Sequence, residues 1–462
     1  MRRRLAVLGV VLAAVTGVAA ALVTRGPESP RRLAPGAGNS ESTEDPLAWD
    51  PDRRAELERR AAAGLSHVIY AKSPGGVVAS AARTASFRPL VVRVAKRARI
   101  DPNTLEAIVM LESAGRPDAQ ASNDLAGAVG LTQILAETGQ NLLGMRVDLR
   151  RSVRLTRGIN RGHRVAARLR ERRRVDERFD PGKALTATAR YLQIAERRLG
   201  RSDLAIAAYH MGIGNMQRAL AAYGKADIPY ARLYFDSTPI RHARAWSILA
   251  ALGDDSSTYL WRVLGAKEIM RLYRKDPNGL TRRAELQGRK ASAEEVLHPS
   301  DRTPSYASPS ALKRALGTGE LVALPPRELA GADVRIDPSM GELAGRVKQR
   351  RRLYRALRPQ ALRMLEVLGA GTNAISHTGP LIVTSTVRDD RYQRVLAAGN
   401  IEATRNFSLH TTGWAFDISR DYRSHAQALA FQFMLDRLTA LNMIAWVREP
   451  TAIHVTVATP AS

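Results

Sequence analysis

The apolar positions of residues 101–112 recur with helical spacing. Leu105, Ile108 and Val109 form a stripe that Glu112 continues at i+7, i+4 and i+3. Asp101-Pro102 is a favourable start, because aspartate caps the first turn and proline fits within it. The pattern therefore predicts a helix that carries a carboxylate at its C-terminal end, on its buried face.

This carboxylate has the setting that a general acid needs. Ser113-Ala114-Gly115 stops the helix directly after Glu112. A half-buried carboxyl group keeps its proton to higher pH, because loss of water disfavours the charged form. Taken alone, however, the pattern more often belongs to an ordinary solvated glutamate at a helix end.

The hydrophobic pattern also divides the remaining chain. Helical periodicity fades after residue 276, several prolines follow, and a run rich in β-branched residues at 380–387 predicts a strand. The predicted organisation is an N-terminal segment (1–25), a linker (26–50), a helical segment (51–86), a first domain (87–276), a second linker (277–339) and a second domain (340–462).

Composition narrows the class of protein. A chain of 462 residues with 45% hydrophobic residues is long enough for two or three packed domains. It contains no cysteine, which excludes disulfides and thiolate metal sites. The formal net charge of +27 favours anionic partners. Much of the excess charge is arginine, so a GC-rich coding bias is an alternative explanation.

Residues 1–25 indicate export. Three arginines, Arg2 to Arg4, precede an apolar run from Leu5 to Val23. A basic start followed by an apolar segment is typical of a signal peptide, and about twenty apolar residues also suffice to span a bilayer. A cleaved signal and a membrane anchor both stay open. Either one places the rest of the chain in the cell envelope, outside the cytoplasm.

Three motifs follow one another in the first domain. They are Glu112-Ser113, Gly130-Leu131-Thr132-Gln133 and the segment 208–215, which reads Ala-Tyr-His-Met-Gly-Ile-Gly-Asn. In this order they resemble the soluble lytic transglycosylase catalytic domain, over roughly residues 88–234. The resemblance implies a mainly α, goose-lysozyme-like fold that needs no cofactor. It also implies cleavage of peptidoglycan between N-acetylmuramic acid and N-acetylglucosamine, with a 1,6-anhydro product.

The same resemblance assigns roles to individual residues. Glu112 would be the single catalytic acid and base, and Ser113, Gln133 and Tyr209 would bind the glycan. The sequence departs from the family at His210, where asparagine is usual, and less seriously at a threonine in the second motif.

A second group of residues suits a metal ion. His410, Asp417 and His454 offer two imidazoles and a carboxylate, which leave a fourth position of Zn²⁺ open. The spacing Ser-x-His-x-x-Gly-x-Ala-x-Asp, with a final histidine in a strand, resembles the M15 family of zinc D-Ala-D-Ala peptidases over residues 381–457. The resemblance implies a small α+β domain in which these three residues bind Zn²⁺ and Arg388 steadies the substrate or transition state.

The candidate general base of this domain has unusual spacing. The family places a glutamate three residues before the last histidine, whereas Glu449 lies five residues before His454. We expect Glu449 to act as the base if a β-bulge restores the geometry. A non-catalytic wall-binding domain on the same scaffold is the alternative.

Residues 146–174 contain twelve arginines and only two acidic residues. They form either a solvated basic helix face or a contact with anionic wall polymer or lipid head groups. A nucleic-acid partner is disfavoured, because the segment has no aromatic stacking groups and the chain carries an export signal.

The two resemblances point to one polymer. The sequence predicts an exported peptidoglycan-remodelling enzyme, in which a lytic transglycosylase is joined to a zinc-peptidase-like domain that acts on or binds the stem peptide. The alternative is a non-catalytic wall-binding scaffold built on degenerate enzyme folds, which His210 and the displaced Glu449 would support.

Overall fold

The computed structural model describes residues 47–253, 255–290, 292–399 and 406–459. The predicted signal or anchor lies outside these residues. The described chain forms two compact units, one from Trp49 to Glu285 and one from Leu286 onward. Within the described residues, no helix combines the length and the apolar character needed to cross a membrane.

The first unit is helical, as the sequence predicts. Its α-helices are Arg54–Gly64, His67–Lys72, Val77–Ala85, Arg88–Ala98, Pro102–Ser113, Leu149–Asn160, Val165–Val175, Pro181–Leu199, Ser202–Met211, Ile213–Tyr223, Tyr230–Asp236, Ala243–Ala250, Tyr259–Lys275 and Pro277–Gln287. A π-helical turn at Thr138–Leu142 and 3₁₀ turns at Glu177–Phe179 and Asp255–Thr258 join some of them.

The helix Pro102–Ser113 lies at the centre of this unit. The Asp101 side chain caps it by accepting hydrogen bonds from two backbone amides, as predicted. Ile108 belongs to one hydrophobic cluster and Leu105 to another, so the helix is packed on more than one side. The predicted single stripe therefore understates its burial, because every residue from 104 to 110 is buried.

The segment 51–86 is part of the same unit. Ile69 and Val77 share a hydrophobic cluster with Ile108 of the central helix and with Val263 of the helix Tyr259–Lys275. The predicted separate helical segment is thus packed into the helical unit by these apolar contacts.

The second unit combines helices with a mixed sheet. Its α-helices are Glu294–Leu297, Pro309–Gly317, Pro326–Gly331, Pro359–Ser376, Asp390–Gly399 and His425–Ala440. Its strands are β1 (Val322–Ala323), β2 (Val334–Ile336), β3 (Ala356–Leu357), β4 (Leu381–Ser385), β5 (Ala415–Ser419), β6 (Ile444–Arg448) and β7 (Ala452–Val457). There are 3₁₀ turns at Glu342–Val347, Arg351–Tyr354 and Leu409–Thr412.

Five of these strands form one sheet in the order β2-β4-β5-β7-β6. Strands β2 and β4 are parallel, and the other neighbours are antiparallel. The remaining strands, β1 and β3, form a separate antiparallel pair. The sheet brings β5 and β7 together as neighbours at its interior.

The predicted linker over 277–339 requires a correction. The second unit begins near Leu286, not near residue 340, and the corrected segment supplies two of the strands. Leu312 is buried in a hydrophobic cluster with Tyr354, and Val334 pairs with Leu381 of β4. Its elements are short and rich in proline, so they leave little periodicity to detect in the sequence.

A buried arginine fixes the loop that carries the Gly-Leu-x-Gln motif. The Arg178 guanidinium donates to the carbonyls of Leu125 (2.7 Å) and Gly127 (3.0 Å), and it pairs with the Asp176 carboxylate at 2.8 Å. Gly130 lies against the same segment with φ of +83°, and a Cβ there would stand 2.0 Å from the Arg178 carbonyl oxygen. The motif therefore needs glycine for conformation and for space.

We expect Gly130→Ala to destabilise the first unit by more than about 1 kcal/mol, because strain at positive φ adds to a backbone clash. Thermal unfolding followed by circular dichroism measures this change. Gly214→Ala is the matched control, since Gly214 has open space around its Cβ position. Equal melting temperatures for the two variants would contradict the assignment.

Candidate functional site

Glu112 lies in the last turn of the helix Pro102–Ser113, where it is partly exposed. The chain leaves the helix through Ala114 and Gly115, both with positive φ. A Cβ at Gly115 would stand 2.5 Å from the Thr84 backbone nitrogen, so the exit packs tightly against the neighbouring helix. This turn fixes the end of the helix and with it the direction of the Glu112 side chain.

One hydroxyl group holds the Glu112 carboxylate. The Tyr259 hydroxyl donates a hydrogen bond to Glu112 Oε1 at 2.6 Å. Tyr259 is only 2% exposed and begins the helix Tyr259–Lys275, which packs along the central helix. The contact joins residues 147 positions apart.

The surroundings of Glu112 keep a substantial fraction of this carboxyl group protonated near neutral pH. Burial raises the pKa of Glu112 to about 7, although the hydrogen bond from Tyr259 acts in the opposite direction. The group can thus give a proton at neutral pH and take one back afterwards, as general acid–base catalysis requires.

Tyr209 lies beside this pair. Its ring stacks on Tyr259 with 6.1 Å between centroids, and its hydroxyl donates to the Thr132 carbonyl at 2.7 Å. Burial and the nearby Glu112 raise the pKa of Tyr209. Because its hydroxyl is already bonded within the protein, Tyr209 offers mainly its ring to a ligand.

Gln133 and Ser113 are placed differently. The Gln133 amide donates to the Gly130 carbonyl at 2.8 Å, while its side-chain oxygen accepts no hydrogen bond from a described residue. Ser113 is 2% exposed and donates to the Leu131 carbonyl at 2.7 Å. Ser113 therefore ties the glutamate helix to the motif loop, and its contact with substrate stays a prediction.

The departures from the family pattern have structural consequences. Thr132 is fully buried, so its side chain cannot contact a glycan. The exposed His210 stacks on Tyr259 with 5.1 Å between ring centroids, and its Nδ1 lies 2.7 Å from Ser256 Oγ. His210 thus contacts the residue that holds Glu112.

Sequence reasoning missed Tyr259. The sequence analysis includes this tyrosine in the first domain (87–276), but no motif marks it. Local spacing relates only residues close in sequence, whereas this contact depends on how two distant helices pack.

The second unit brings the predicted metal ligands together. Ligand atoms of His410, Asp417 and His454 lie within 4.8 Å of one another, and all three residues are buried. Asp417 on β5 pairs directly with His454 on β7, while His410 comes from the turn Leu409–Thr412. Neighbouring strands therefore explain a cluster whose members are spread along the sequence.

Hydrogen bonds orient this cluster. Asp417 Oδ1 lies 3.1 Å from His410 Nε2 and 2.9 Å from His454 Nδ1. His410 Nδ1 lies 2.8 Å from the Thr386 carbonyl oxygen. When Nδ1 carries the proton, it donates to this carbonyl, and this hydrogen bond fixes the tautomer of the imidazole. Burial lowers the pKa of His410 to about 4, so this imidazole stays neutral, the form that binds metals.

Arg388 lies against the same carboxylate. Its guanidinium donates to Ser385 Oγ at 2.8 Å and to Asp417 Oδ2 at 3.3 Å. It also lines a cavity of about 300 Å³ whose wall includes the histidine–aspartate cluster. The side chain therefore lies where it can meet a ligand in this cavity.

Glu449 lines the same cavity without the expected bulge. Strands β6 and β7 pair in unbroken register from Ile444 to Arg448, and the Glu449 amide then donates to the Ala452 carbonyl at 2.9 Å. Val447 pairs with His454, and alternate residues of a strand share a face, so Glu449 lies on the face of His454. The hairpin, not a bulge, brings this glutamate to the cluster.

No motif in the sequence marks a further glutamate, Glu294, which falls in the predicted linker. Its Oε1 pairs with Lys290 Nζ at 2.7 Å. Its Oε2 is buried, has no hydrogen-bond partner among the residues that the structure describes, and lies 3.9 Å from His454 Nε2. Only the tertiary fold reveals this placement, because Glu294 belongs to a four-residue helix far along the chain from His410, Asp417 and His454.

A family model matches the part of the chain that contains the first of these sites. Residues 90–156 and 158–231 match the Transglycosylase SLT domain, a range that includes Glu112, Gln133 and Tyr209 but ends before Tyr259. The curated proteins include no match to the chain. The M15 resemblance of the second unit receives no support from these comparisons. A transglycosylase SLT domain is therefore present at residues 90–231, and it indicates lytic transglycosylase activity on peptidoglycan.

Proposed function

We propose that the helical unit cleaves the glycosidic bond between N-acetylmuramic acid and N-acetylglucosamine, with Glu112 as its acid and base. One observation carries this proposal: a partly exposed glutamate with a pKa of about 7, held by a buried tyrosine, lies within the matched SLT domain. Raised pKa values of this kind mark general acids.

The proposed reaction uses one carboxyl group twice. Protonated Glu112 gives its proton to the glycosidic oxygen, the C1–O bond breaks, and N-acetylglucosamine leaves as an alcohol. The muramyl acetamido oxygen supports the positive charge that develops at C1. The Glu112 carboxylate then removes the proton from the muramyl C6 hydroxyl, whose oxygen bonds to C1 and closes the 1,6-anhydro ring. Glu112 ends protonated, ready for another cycle.

The surrounding charges fit a one-carboxylate mechanism. Glu106, on the same helix, is buried and paired with Arg88 and Arg274. Asp118, in the loop after the helix, pairs with Arg172. Two-carboxylate glycosidases need a second free carboxylate within about 10 Å of the first, and these neighbouring acids are already paired.

We further propose that the second unit binds Zn²⁺ and acts on, or holds, the peptidoglycan stem peptide. The donor set fits this metal, since two imidazoles and one carboxylate leave an open position. A bound Zn²⁺ would supply Lewis acidity and an activated water. His410, Asp417 and His454 would hold the ion, Arg388 would bind the peptide carbonyl or carboxylate, and Glu449 would take and return the proton.

The second unit also has a non-catalytic alternative. Glu449 lies at a hairpin and differs in spacing from the family base, so the cavity would then bind the stem peptide without cutting it. In both cases the basic, apolar start of the chain supports export to the envelope, as a cleaved signal or as a membrane tether.

Digestion of purified peptidoglycan tests the first proposal. The wild type should release 1,6-anhydromuropeptides, detected by mass spectrometry, and Glu112→Gln should reduce their rate at least about a thousandfold because it cannot transfer a proton. Glu196→Gln, which alters an exposed glutamate of the same unit, should retain the rate. Absence of anhydro products from the wild type would refute the proposal and favour a binding protein.

The pH profile tests the role of Tyr259. Its hydrogen bond lowers the Glu112 pKa, so Tyr259→Phe should raise that pKa and move the alkaline limb of kcat/KM up by about one pH unit. Tyr273→Phe, on the same helix, should leave the limb unchanged. An alkaline limb that does not move in Tyr259→Phe would show that this contact does not influence the pKa of the catalytic acid.

Zinc content tests the second proposal. We expect one Zn²⁺ per chain by elemental analysis, and Asp417→Asn should weaken the affinity at least about tenfold while preserving side-chain shape. His425→Ala removes an exposed histidine outside the cluster and should have no effect.

Analysis of the stem-peptide products distinguishes the catalytic form of this proposal from the non-catalytic form. If Glu449 is the base, Glu449→Gln should keep the zinc and lose shortened stem peptides, and chelation should remove them as well. Zinc binding without any peptide cleavage by the wild type would instead support the non-catalytic alternative.

A further inference from the structure

The arginine-rich segment forms a helical hairpin. The helices Leu149–Asn160 and Val165–Val175 pack against each other across a four-residue connection. Ser152, Leu155 and Thr156 are buried on the inner face of the first helix. The hairpin is thus a structured part of the helical unit.

Some of its arginines hold the hairpin together. Arg151 donates to Glu171 Oε1 at 3.1 Å and 2.5 Å, which joins the two helices. Arg172 is buried, donates to Thr156 Oγ1 at 3.0 Å and pairs with Asp118 at 2.7 Å. These arginines have structural partners.

A second set has no such partners. Arg150, Arg154, Arg157 and Arg161 are exposed, and their guanidinium groups make no hydrogen bond or ion pair with any residue that the structure describes. We call these four residues the arginine stripe. Their spacing of four, three and four positions places Arg150, Arg154 and Arg157 on one face of the helix Leu149–Asn160. Arg161, the residue directly after the helix, continues the row to a length of about 16 Å.

The positive charges of the arginine stripe repel one another, and no residue of the same helix compensates this repulsion. Like charges at i+3 and i+4 destabilise a helix. Of the two acidic residues in segment 146–174, Asp148 caps the first helix and Glu171 is paired with Arg151. A compositional bias toward arginine accounts for the number of cations, but not for their separation into a bonded set and an unbonded row.

We propose that the arginine stripe binds a linear polyanion whose charges are phosphodiesters, as in an anionic wall polymer. Guanidinium groups bind phosphate oxygens through paired hydrogen bonds, and a straight row of them matches successive phosphates along a chain. Neutralisation of phosphates with release of counterions would drive binding.

The composition of the hairpin favours this ligand over two others. Helices that lie on membranes present large apolar residues beside the basic ones. Val165 is the single large apolar residue strongly exposed on the described hairpin. The segment also contains no aromatic side chain on which bases could stack.

The position of the hairpin links this surface to the glycan site. Arg172 ties it to Asp118, which lies in the loop that follows Glu112. A polymer bound to the stripe would therefore be held by the same compact unit that carries Glu112. The proposal does not depend on catalysis, because it concerns exposed arginines that have no part in the proposed acid–base chemistry.

Binding of poly(glycerol phosphate) to the full chain, measured by fluorescence anisotropy at several salt concentrations, tests this inference. The variant with all four stripe arginines changed to glutamine should lose at least tenfold in affinity at 0.1 M salt. Its slope of log K against log salt should fall by about 3, since each lost phosphate contact contributes about 0.7 to 0.9.

The matched control removes the same charge elsewhere on the unit. Arg93, Arg97, Arg197 and Arg198 are also exposed, and changing all four to glutamine should alter affinity less than threefold. Thermal unfolding shows whether both variants are folded. Equal losses in the two variants, or no loss in the stripe variant, would overturn the proposal, because net charge alone would then explain binding.

Two further probes test the identity of the ligand. Vesicles that contain phosphatidylglycerol and single-stranded oligothymidine should each bind more weakly than poly(glycerol phosphate), at matched phosphate concentration. Tighter, stripe-dependent binding to vesicles would assign the surface to lipid head groups, and tighter binding to oligothymidine would assign it to nucleic acid. Either outcome would overturn the wall-polymer assignment.

Discussion

The candidate site of the helical unit depends on one balance, between the loss of water around the Glu112 carboxyl group and the hydrogen bond that the Tyr259 hydroxyl donates to it. Burial raises the pKa to about 7, and the Tyr259 hydrogen bond limits the rise. The balance holds only while the central helix, its positive-φ exit and the helix of Tyr259 stay fixed. The surrounding hydrophobic clusters and the buried Arg178 clamp are therefore requirements of the site as much as of the fold.

In the second unit a buried carboxyl group has a lowered pKa, the opposite of the shift at Glu112. Asp417 is buried, yet interactions with His410 and His454 hold its pKa well below its usual range. A carboxylate that remains charged inside a protein must be surrounded by donors or cations. Arg388 and His454 supply donors to this carboxylate, and the cluster as a whole has the composition of a metal site.

The structural features that the sequence predicted correctly are those that depend on residues close together along the chain. The aspartate cap, the glutamate at the helix end and the strand near 381–385 all follow from local spacing. Tyr259, Glu294 and the true start of the second unit could not be found in this way. Each depends on contacts between distant segments, and the short elements of residues 286–340 leave no period to detect.

The arginines show most clearly that sequence alone does not reveal tertiary contacts. Arg172 and Arg178 are buried and bonded, whereas Arg150 and Arg154 project from the same region into solvent, and all four occur in a similar basic sequence. A count of the charged residues in the sequence treats them alike, because it contains no information on which guanidinium groups already have carbonyl or carboxylate partners. The fold separates them, and only the set left unpaired is available to an external anion. Local basicity therefore indicates a partner only after the internal hydrogen bonds have been assigned.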